Sequence, residues 1–184
     1  METYLDRIFV IKNFISKEDC QKLIEKFAVN ATYIPESEVI RSGFSVTIER
    51  DDYSQIINGD TLEAKILSKM ASALSDHYKT NMEIKSIFHS IMDVGGTNSP
   101  HWDNYVENGE EDVSSLLYLN EDFDGGVLSF INQKIYLKPE PGMFVFFRGE
   151  RDLLHEVEVV TRGSREALVG FSWPTSKRLS LNTQ

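Results

Sequence analysis

His101, Asp103 and His155 are the residues of this chain whose types and spacing could hold a reactive metal. A strand alternates its faces every residue, so an H-x-D on a strand points both side chains the same way. A second imidazole arrives at His155, a separation that suits a sheet returning to the same cavity. Two imidazoles and one carboxylate fill three positions of an octahedral ion and leave three open, the ligand set of non-haem iron(II) oxygenases. Two open positions can take a bidentate 2-oxo acid and the third dioxygen. Arg165 lies on the far side of the turn Arg162-Gly163-Ser164, on the strand after His155. A guanidinium there can grip a distant carboxylate through two parallel, charge-assisted contacts. Taken alone, Arg165 also reads as an ordinary strand arginine, and Arg162, beside glycine in the turn, reads as facing solvent.

The elements that must position these residues change character along the chain. Ser16 is a candidate N-cap, with Lys17, Glu18 and Asp19 following. Cys20, Leu23, Ile24 and Phe27 then form one apolar helical stripe. Cys20 on that stripe reads as a small core residue, not a nucleophile. After the turn Asn58-Gly59, the apolar residues Leu62, Ile66, Met70 and Leu74 predict a second helix from about Thr61 to His77. From Glu83 onward short apolar runs are punctuated by turn residues. Ile84–Val94, Val113–Leu119, Val127–Ile131, Lys134–Leu137, Met143–Phe147, Leu154–Val160 and Glu166–Trp173 read as strands. Many short strands at this spacing predict a sandwich or barrel. The expectation is one domain over residues 1–184, with helical support over about 1–82 and a β core over about 83–175.

The bulk numbers restrict partners. At 184 residues and 41% hydrophobic content the chain can bury a sizeable core. A formal net charge of −10 argues against a nucleic-acid partner. Cys20 is the only cysteine, so an internal disulfide is excluded and a cytoplasmic setting is the simplest expectation. The N-terminus carries no signal-peptide pattern, and no apolar run reaches the length that crosses a bilayer, so no membrane association is expected.

Beyond single residues, His101–Trp173 carries an ordered set of segments. They are His101-Trp102-Asp103-Asn104, Leu116-Leu117-Tyr118-Leu119-Asn120 and Phe123-Asp124-Gly125-Gly126-Val127-Leu128-Ser129-Phe130. Lys138-Pro139-Glu140-Pro141-Gly142 with Phe144-Val145-Phe146-Phe147 follow, then His155-Glu156-Val157-Glu158-Val159-Val160, Gly163-Ser164-Arg165-Glu166-Ala167-Leu168 and Phe171-Ser172-Trp173. In order and spacing this run resembles the 2-oxoglutarate- and Fe(II)-dependent dioxygenases of the prolyl 4-hydroxylase-like group. The resemblance implies a mainly β fold, a double-stranded β-helix (jelly roll) with N-terminal helices packed outside one sheet. It implies His101, Asp103 and His155 as iron ligands and Arg165 as the clamp on the C5 carboxylate of 2-oxoglutarate. It carries to Tyr118 a share in holding that carboxylate, beside the reading of a core tyrosine whose hydroxyl finds a backbone partner. Fe(II), 2-oxoglutarate and dioxygen are the implied cofactors and co-substrates, with ascorbate as an optional reductant. The implied reaction is hydroxylation of an unactivated C–H bond, with peptidyl proline first and a free amino acid or other small metabolite as the alternative substrate.

Departures from the family pattern are few. Met92 stands where many relatives carry a tyrosine before Gly95, which removes a hydrogen bond to the co-substrate. Phe171 occupies the position where nucleic-acid demethylases of the superfamily often place a second arginine. Two other classes stay open: a non-catalytic jelly-roll binding module, and a metal hydrolase or isomerase on a cupin-like barrel, which would not need Arg165. His89 reads as a satisfied or exposed histidine, His77 as a cation suited to a helix C-terminus, and Trp102 as pointing away from the metal. Arg148 and Arg151 read as solvated loop charges, as does the run Glu107–Asp112. The entrance segments Asn30–Asp60 and Tyr105–Asp112 carry no decodable signature, and oligomeric state is equally unread.

Overall fold

Ser16 starts the first helix as its spacing predicts. Its Oγ accepts from the Asp19 backbone N–H at 3.0 Å, and helix α1 runs over Lys17–Phe27, burying Cys20, Leu23 and Phe27. Thr61 does the same for helix α2, Leu62–Tyr78, accepting from Ala64 N at 3.2 Å. Helix α2 ends where Lys79 turns left-handed at φ 55°. The computed structural model describes residues 1–27, 32–34, 39–47, 59–103 and 112–176. Most of the two segments expected to form the entrance therefore lies outside the described residues.

Fourteen strands are present among them: β1 (Glu2–Tyr4), β2 (Ile8–Ile11), β3 (Thr32–Ile34), β4 (Val39–Thr47), β5 (Met82–Met92), β6 (Asn98–His101) and β7 (Val113–Tyr118). The second half continues with β8 (Asp124–Gly125), β9 (Leu128–Phe130), β10 (Ile135–Leu137), β11 (Phe144–Arg148), β12 (His155–Val157), β13 (Val160–Arg162) and β14 (Arg165–Pro174). Every pairing is antiparallel. The major sheet has the order β1-β2-β11-β7-β14-β5-β4-β3, the minor sheet β10-β9-β12-β6, and β13 pairs with β8. This is the jelly roll that the resemblance implies.

The pleat sorts side chains into two cores. Leu117, Phe144, Phe146 and Leu168 face the helices and pack with Leu23, Met70 and Leu74. Leu116, Tyr118, Val145, Phe147 and Ala167 face the minor sheet and meet Leu128, Phe130 and Val157. The site lies in this second space, between two sheets whose separation is held by packed apolar side chains.

Three expectations change. The first part of the chain is not helical support alone, because β1 and β2 extend one edge of the major sheet and β3 and β4 the other. β1, β2 and β3, of three or four residues, are too short for any period to tell them from helix or loop, and the longer β4 lies in a segment that carries no readable signature. The run Leu154–Val160 divides into β12 and β13, with a register shift between His155 and Val157. Strand β6 ends at His101, so Asp103 is delivered by the bend that follows and not by strand alternation.

Candidate metal centre and oxo-acid pocket

His101 and His155 are brought together by the minor sheet, where they are direct partners in the pairing of β6 with β12. The His101 Nδ1 lies 2.7 Å from the Ser99 carbonyl and the His155 Nδ1 2.9 Å from the Leu153 carbonyl. Each Nδ1–H therefore donates to backbone, which fixes the tautomer and turns the Nε2 lone pair into the shared space. There His101 Nε2 lies 3.4 Å from Asp103 Oδ1, and His155 Nε2 lies 3.4 Å from Asp103 Oδ2. Both gaps exceed the roughly 2.7–2.9 Å of a charge-assisted hydrogen bond. The three side chains offer ligand atoms within 4.8 Å of one another, so they fit an ion with mixed nitrogen and oxygen ligands and one face left open.

The surroundings hold this geometry. The His155 ring centroid lies 4.9 Å from that of Phe147 and 5.6 Å from that of Phe130. A side chain on Gly149 would overlap the Asp103 carbonyl oxygen, so the bend carrying Asp103 rests directly on the backbone after β11. Burial opposes ionisation of Asp103, but the two imidazoles outweigh it and hold its carboxyl well below the usual range. Ser114 contributes in the same direction, although its Oγ completes no hydrogen bond. Asp103 in turn raises the pKa of His101, with the Ser99 carbonyl helping and burial opposing.

Arg165 opens β14 opposite Met92 and is 1% exposed. Its Nε donates to the Gly126 carbonyl at 3.1 Å, its Nη2 to the Tyr118 hydroxyl at 3.3 Å, and its Nη1 approaches Met92 Sδ at 3.8 Å. Gly126 has φ 59°, and a Cβ there would lie 2.8 Å from Arg165 Cδ, so a glycine is needed both for the turn and for the arginine stem. Among the described residues no carboxylate pairs with Arg165. Burial raises the Tyr118 pKa against the pull of Arg165, so the phenol keeps its proton and remains a donor. His101, Asp103, His155, Arg165 and Met92 line one cavity of about 240 Å³.

Other conspicuous residues lie elsewhere. His89 is fully buried beside Phe27, with Nε2 2.8 Å from the Glu166 carboxylate, so it is neither exposed nor near the triad. His77 does not act as a charged cap: its ring packs on Phe9, Tyr78 and Phe146, and burial lowers its pKa. Arg148 lies over the Tyr78 ring on the helix side, while Arg162 is exposed and pairs with Asp124 at 2.6 Å. Trp102 is half exposed, as its place between two ligands predicts. Asp112 is buried and faces Lys85 at 3.6 Å, so the end of the acidic run is not solvated. The packing roles of Gly126 and Gly149 are not deducible from spacing. Gly126 gives a signal only as part of a turn, and Gly149 gives none.

Comparison with known proteins agrees with this geometry. Residues 87–173, just under half of the chain, match the family model of the 2OG-Fe(II) oxygenase superfamily. No curated protein sequence matches. A viral collagen prolyl hydroxylase from Paramecium bursaria Chlorella virus-1, solved with 2OG, superposes with a TM-score of 0.68 at 14% identity, covering 90% of this chain and 95% of that one. A Pseudomonas putida prolyl-4-hydroxylase gives 0.63 at 17%, covering 91% and 92%. A Trichoplax adhaerens prolyl hydroxylase, solved with a hypoxia inducible factor oxygen degradation domain peptide fragment, gives 0.60 at 17%, covering 98% and 89%. At such identities the superpositions establish the shared fold.

Proposed function

Because residues 87–173 match the family model of the 2OG-Fe(II) oxygenase superfamily, we propose that this chain is a 2-oxoglutarate- and Fe(II)-dependent dioxygenase that hydroxylates an unactivated C–H bond, with peptidyl proline as the substrate. One observation carries the assignment beyond the family: a buried guanidinium, Arg165, opens into the cavity of the His101, Asp103 and His155 cluster, and no carboxylate among the described residues neutralises it. A buried charge left unpaired is strongly unfavourable, so the site is built for an incoming anion. A metal hydrolase would have no use for it.

In this reading His101, Asp103 and His155 hold the iron through Nε2, a carboxylate oxygen and Nε2. When bound, iron(II) with dioxygen and 2-oxoglutarate supplies the oxidising power, coupling loss of carbon dioxide and formation of succinate to hydroxylation of the substrate. Arg165 receives the C5 carboxylate, and the Tyr118 hydroxyl, already accepting from that guanidinium, donates its proton toward the same oxygens. Met92 Sδ fills the place of an oxygen-bearing side chain, which leaves Arg165 and Tyr118 to carry the polar recognition. Leu128 and Val157 line the cavity and keep water from the reacting atoms. Ascorbate as a reductant and a cytoplasmic setting belong to the same proposal. The peptide-bound relative from Trichoplax supports a peptide substrate by likeness of fold.

Anaerobic titration of 2-oxoglutarate into the Fe(II)-loaded protein tests this. A saturable visible charge-transfer band is expected, followed by succinate on admitting oxygen, both lost in His101→Ala. Absence of band and of iron retention in the unaltered protein would leave only a binding module.

A further inference from the structure

Asn120 follows closely on Tyr118, takes no part in the proposed chemistry, and has a side chain committed at both ends. Strand β7 pairs with β14 as far as Tyr118, opposite Ala167, and then leaves the sheet. One backbone bond follows, from the Leu119 N–H to the Glu166 carbonyl at 2.9 Å. Beyond it the Asn120 side chain takes over. Its Nδ2 donates to the Ser164 carbonyl at 2.6 Å, and its Oδ1 accepts from the Glu166 N–H at 2.9 Å. A carboxamide carries the donor and the acceptor of a peptide unit, so it stands in for the strand residue that β7 no longer supplies.

What it holds is the root of Arg165. The Ser164 carbonyl and the Glu166 N–H belong to the two peptide units that flank the Arg165 Cα, and Asn120 binds both. On the opposite edge Arg165 pairs with Met92 of β5. The turn before Arg165 is held as well, because a Cβ on Gly163 (φ 74°) would lie 2.3 Å from the Asp122 carbonyl oxygen. A guanidinium fork grips a carboxylate through two parallel bonds, so a small tilt at its root misaligns both. Tyr118 meets the same arginine at its other end, where its hydroxyl accepts from Nη2. The short stretch Tyr118–Asn120 thus holds Arg165 by its head and by its backbone. The triad is carried by β6, β12 and the bend after β6, elements that neither bond of Asn120 reaches.

Resting on the dioxygenase reading above, we infer that Asn120 is a positioning residue for Arg165, and that it sets the preference of the site for an oxo acid with a distal carboxylate over one without. It acts through the backbone of Arg165 and not by contact with the co-substrate.

The experiment uses the full chain loaded anaerobically with Fe(II). It is titrated separately with 2-oxoglutarate and with pyruvate, which has the same chelating oxygens and no distal carboxylate. The readout is the ratio of the two apparent dissociation constants, taken from the visible charge-transfer band. General loosening of the fold weakens both acids alike and leaves the ratio unchanged, whereas a tilted anchor weakens only 2-oxoglutarate. Asn120→Ala should raise the 2-oxoglutarate constant about tenfold, the scale of two lost hydrogen bonds, with pyruvate and Fe(II) affinities within about two-fold. Asn120→Ser keeps a hydroxyl able to make one of the two bonds, and should show the same pattern at about threefold. It decides alone if the alanine variant fails to fold. An unchanged ratio would overturn the inference, whether the two constants stay where they were or rise together. A wild-type protein that binds pyruvate as tightly as 2-oxoglutarate would overturn it too, since Arg165 would then anchor nothing. No band with either acid would instead refute the dioxygenase reading itself.

Discussion

A guanidinium stays charged at every working pH, and among the described residues the buried Arg165 has no carboxylate partner, so its charge awaits an anion. Its three protein contacts go to neutral acceptors, the Gly126 carbonyl, the Tyr118 hydroxyl and the Met92 sulfur. Lysine would keep the charge but lose the fork that reaches several partners at once. Arg165→Lys is therefore expected to weaken 2-oxoglutarate binding by about tenfold or more while sparing iron, read by anaerobic titration of each. Equal loss of both would sink the clamp assignment. The grouping of the triad with Arg165 in one cavity was legible in residue type and spacing, whereas Gly126 matters for the atom it lacks, and such roles surface only in three dimensions. Cys20 was legible for a different reason, its place on an apolar stripe. Burial pushes its thiol up to about 11, against the smaller pull of the Gly142 backbone. The folded chain then holds a proton that the unfolded chain has lost between the ordinary thiol value of 9.0 and about 11. Stability from this group is thus complete below pH 9 and declines above it, by up to about 1.4 kcal/mol per pH unit. Thermal midpoints should fall across that window in the wild type and fall less in Cys20→Ala; parallel curves would show that the thiol titrates freely.

Elements place the candidate ligands, and their edges mattered more than their existence. The long strands β5 and β14 and the two helices follow from period and capping, and their ends fall within two residues of expectation. Strands β1 to β4 did not: β1, β2 and β3 are too short to carry a pattern of their own, and β4 lies between β5 and β3 in a segment without a readable signature. The same applies to Asp103: H-x-D suggested a continuous strand, yet β6 stops at His101 and the carboxylate is carried by a bend resting on Gly149. Gly149→Ala should push that bend away and weaken iron binding by about 10- to 100-fold, the scale of lost support behind a ligand. An unchanged iron affinity in a folded protein would mean that the bend has slack. A helix cap serves as the contrast. Thr61→Ala removes the acceptor for the Ala64 N–H and should cost about 1 kcal/mol, a fall of about 2–4 °C in thermal midpoint, with iron affinity untouched. Local stability and site geometry should therefore separate cleanly between these two variants.

For the molecule as a whole, the site is a staple between layers. His101 and His155 belong to the minor sheet, while Asp103 rests on the turn after β11 of the major sheet. Arg165 begins β14 of the major sheet and reaches Gly126, just before β9 of the minor one. An ion held by the triad and an anion held by Arg165 would each tie the two sheets together, and both bind only the folded chain. By mass action, Fe(II) at 100 times its dissociation constant should stabilise the protein by about 2.7 kcal/mol, a rise of roughly 5–11 °C in midpoint for a chain of this size. Redox-silent Mn(II) should serve as well, since the effect needs only binding. The two ligands should then dissect by variant. His101→Ala should lose the metal shift, whereas Arg165→Lys should keep it and lose the further rise that 2-oxoglutarate adds. The acidic balance of the chain, −10 overall, sharpens the control, because nonspecific divalent binding to surface carboxylates would raise the midpoint of every variant alike. A shift that survives His101→Ala undiminished would assign the stabilisation to that surface charge, and the staple would be refuted even if the oxygenase chemistry stood.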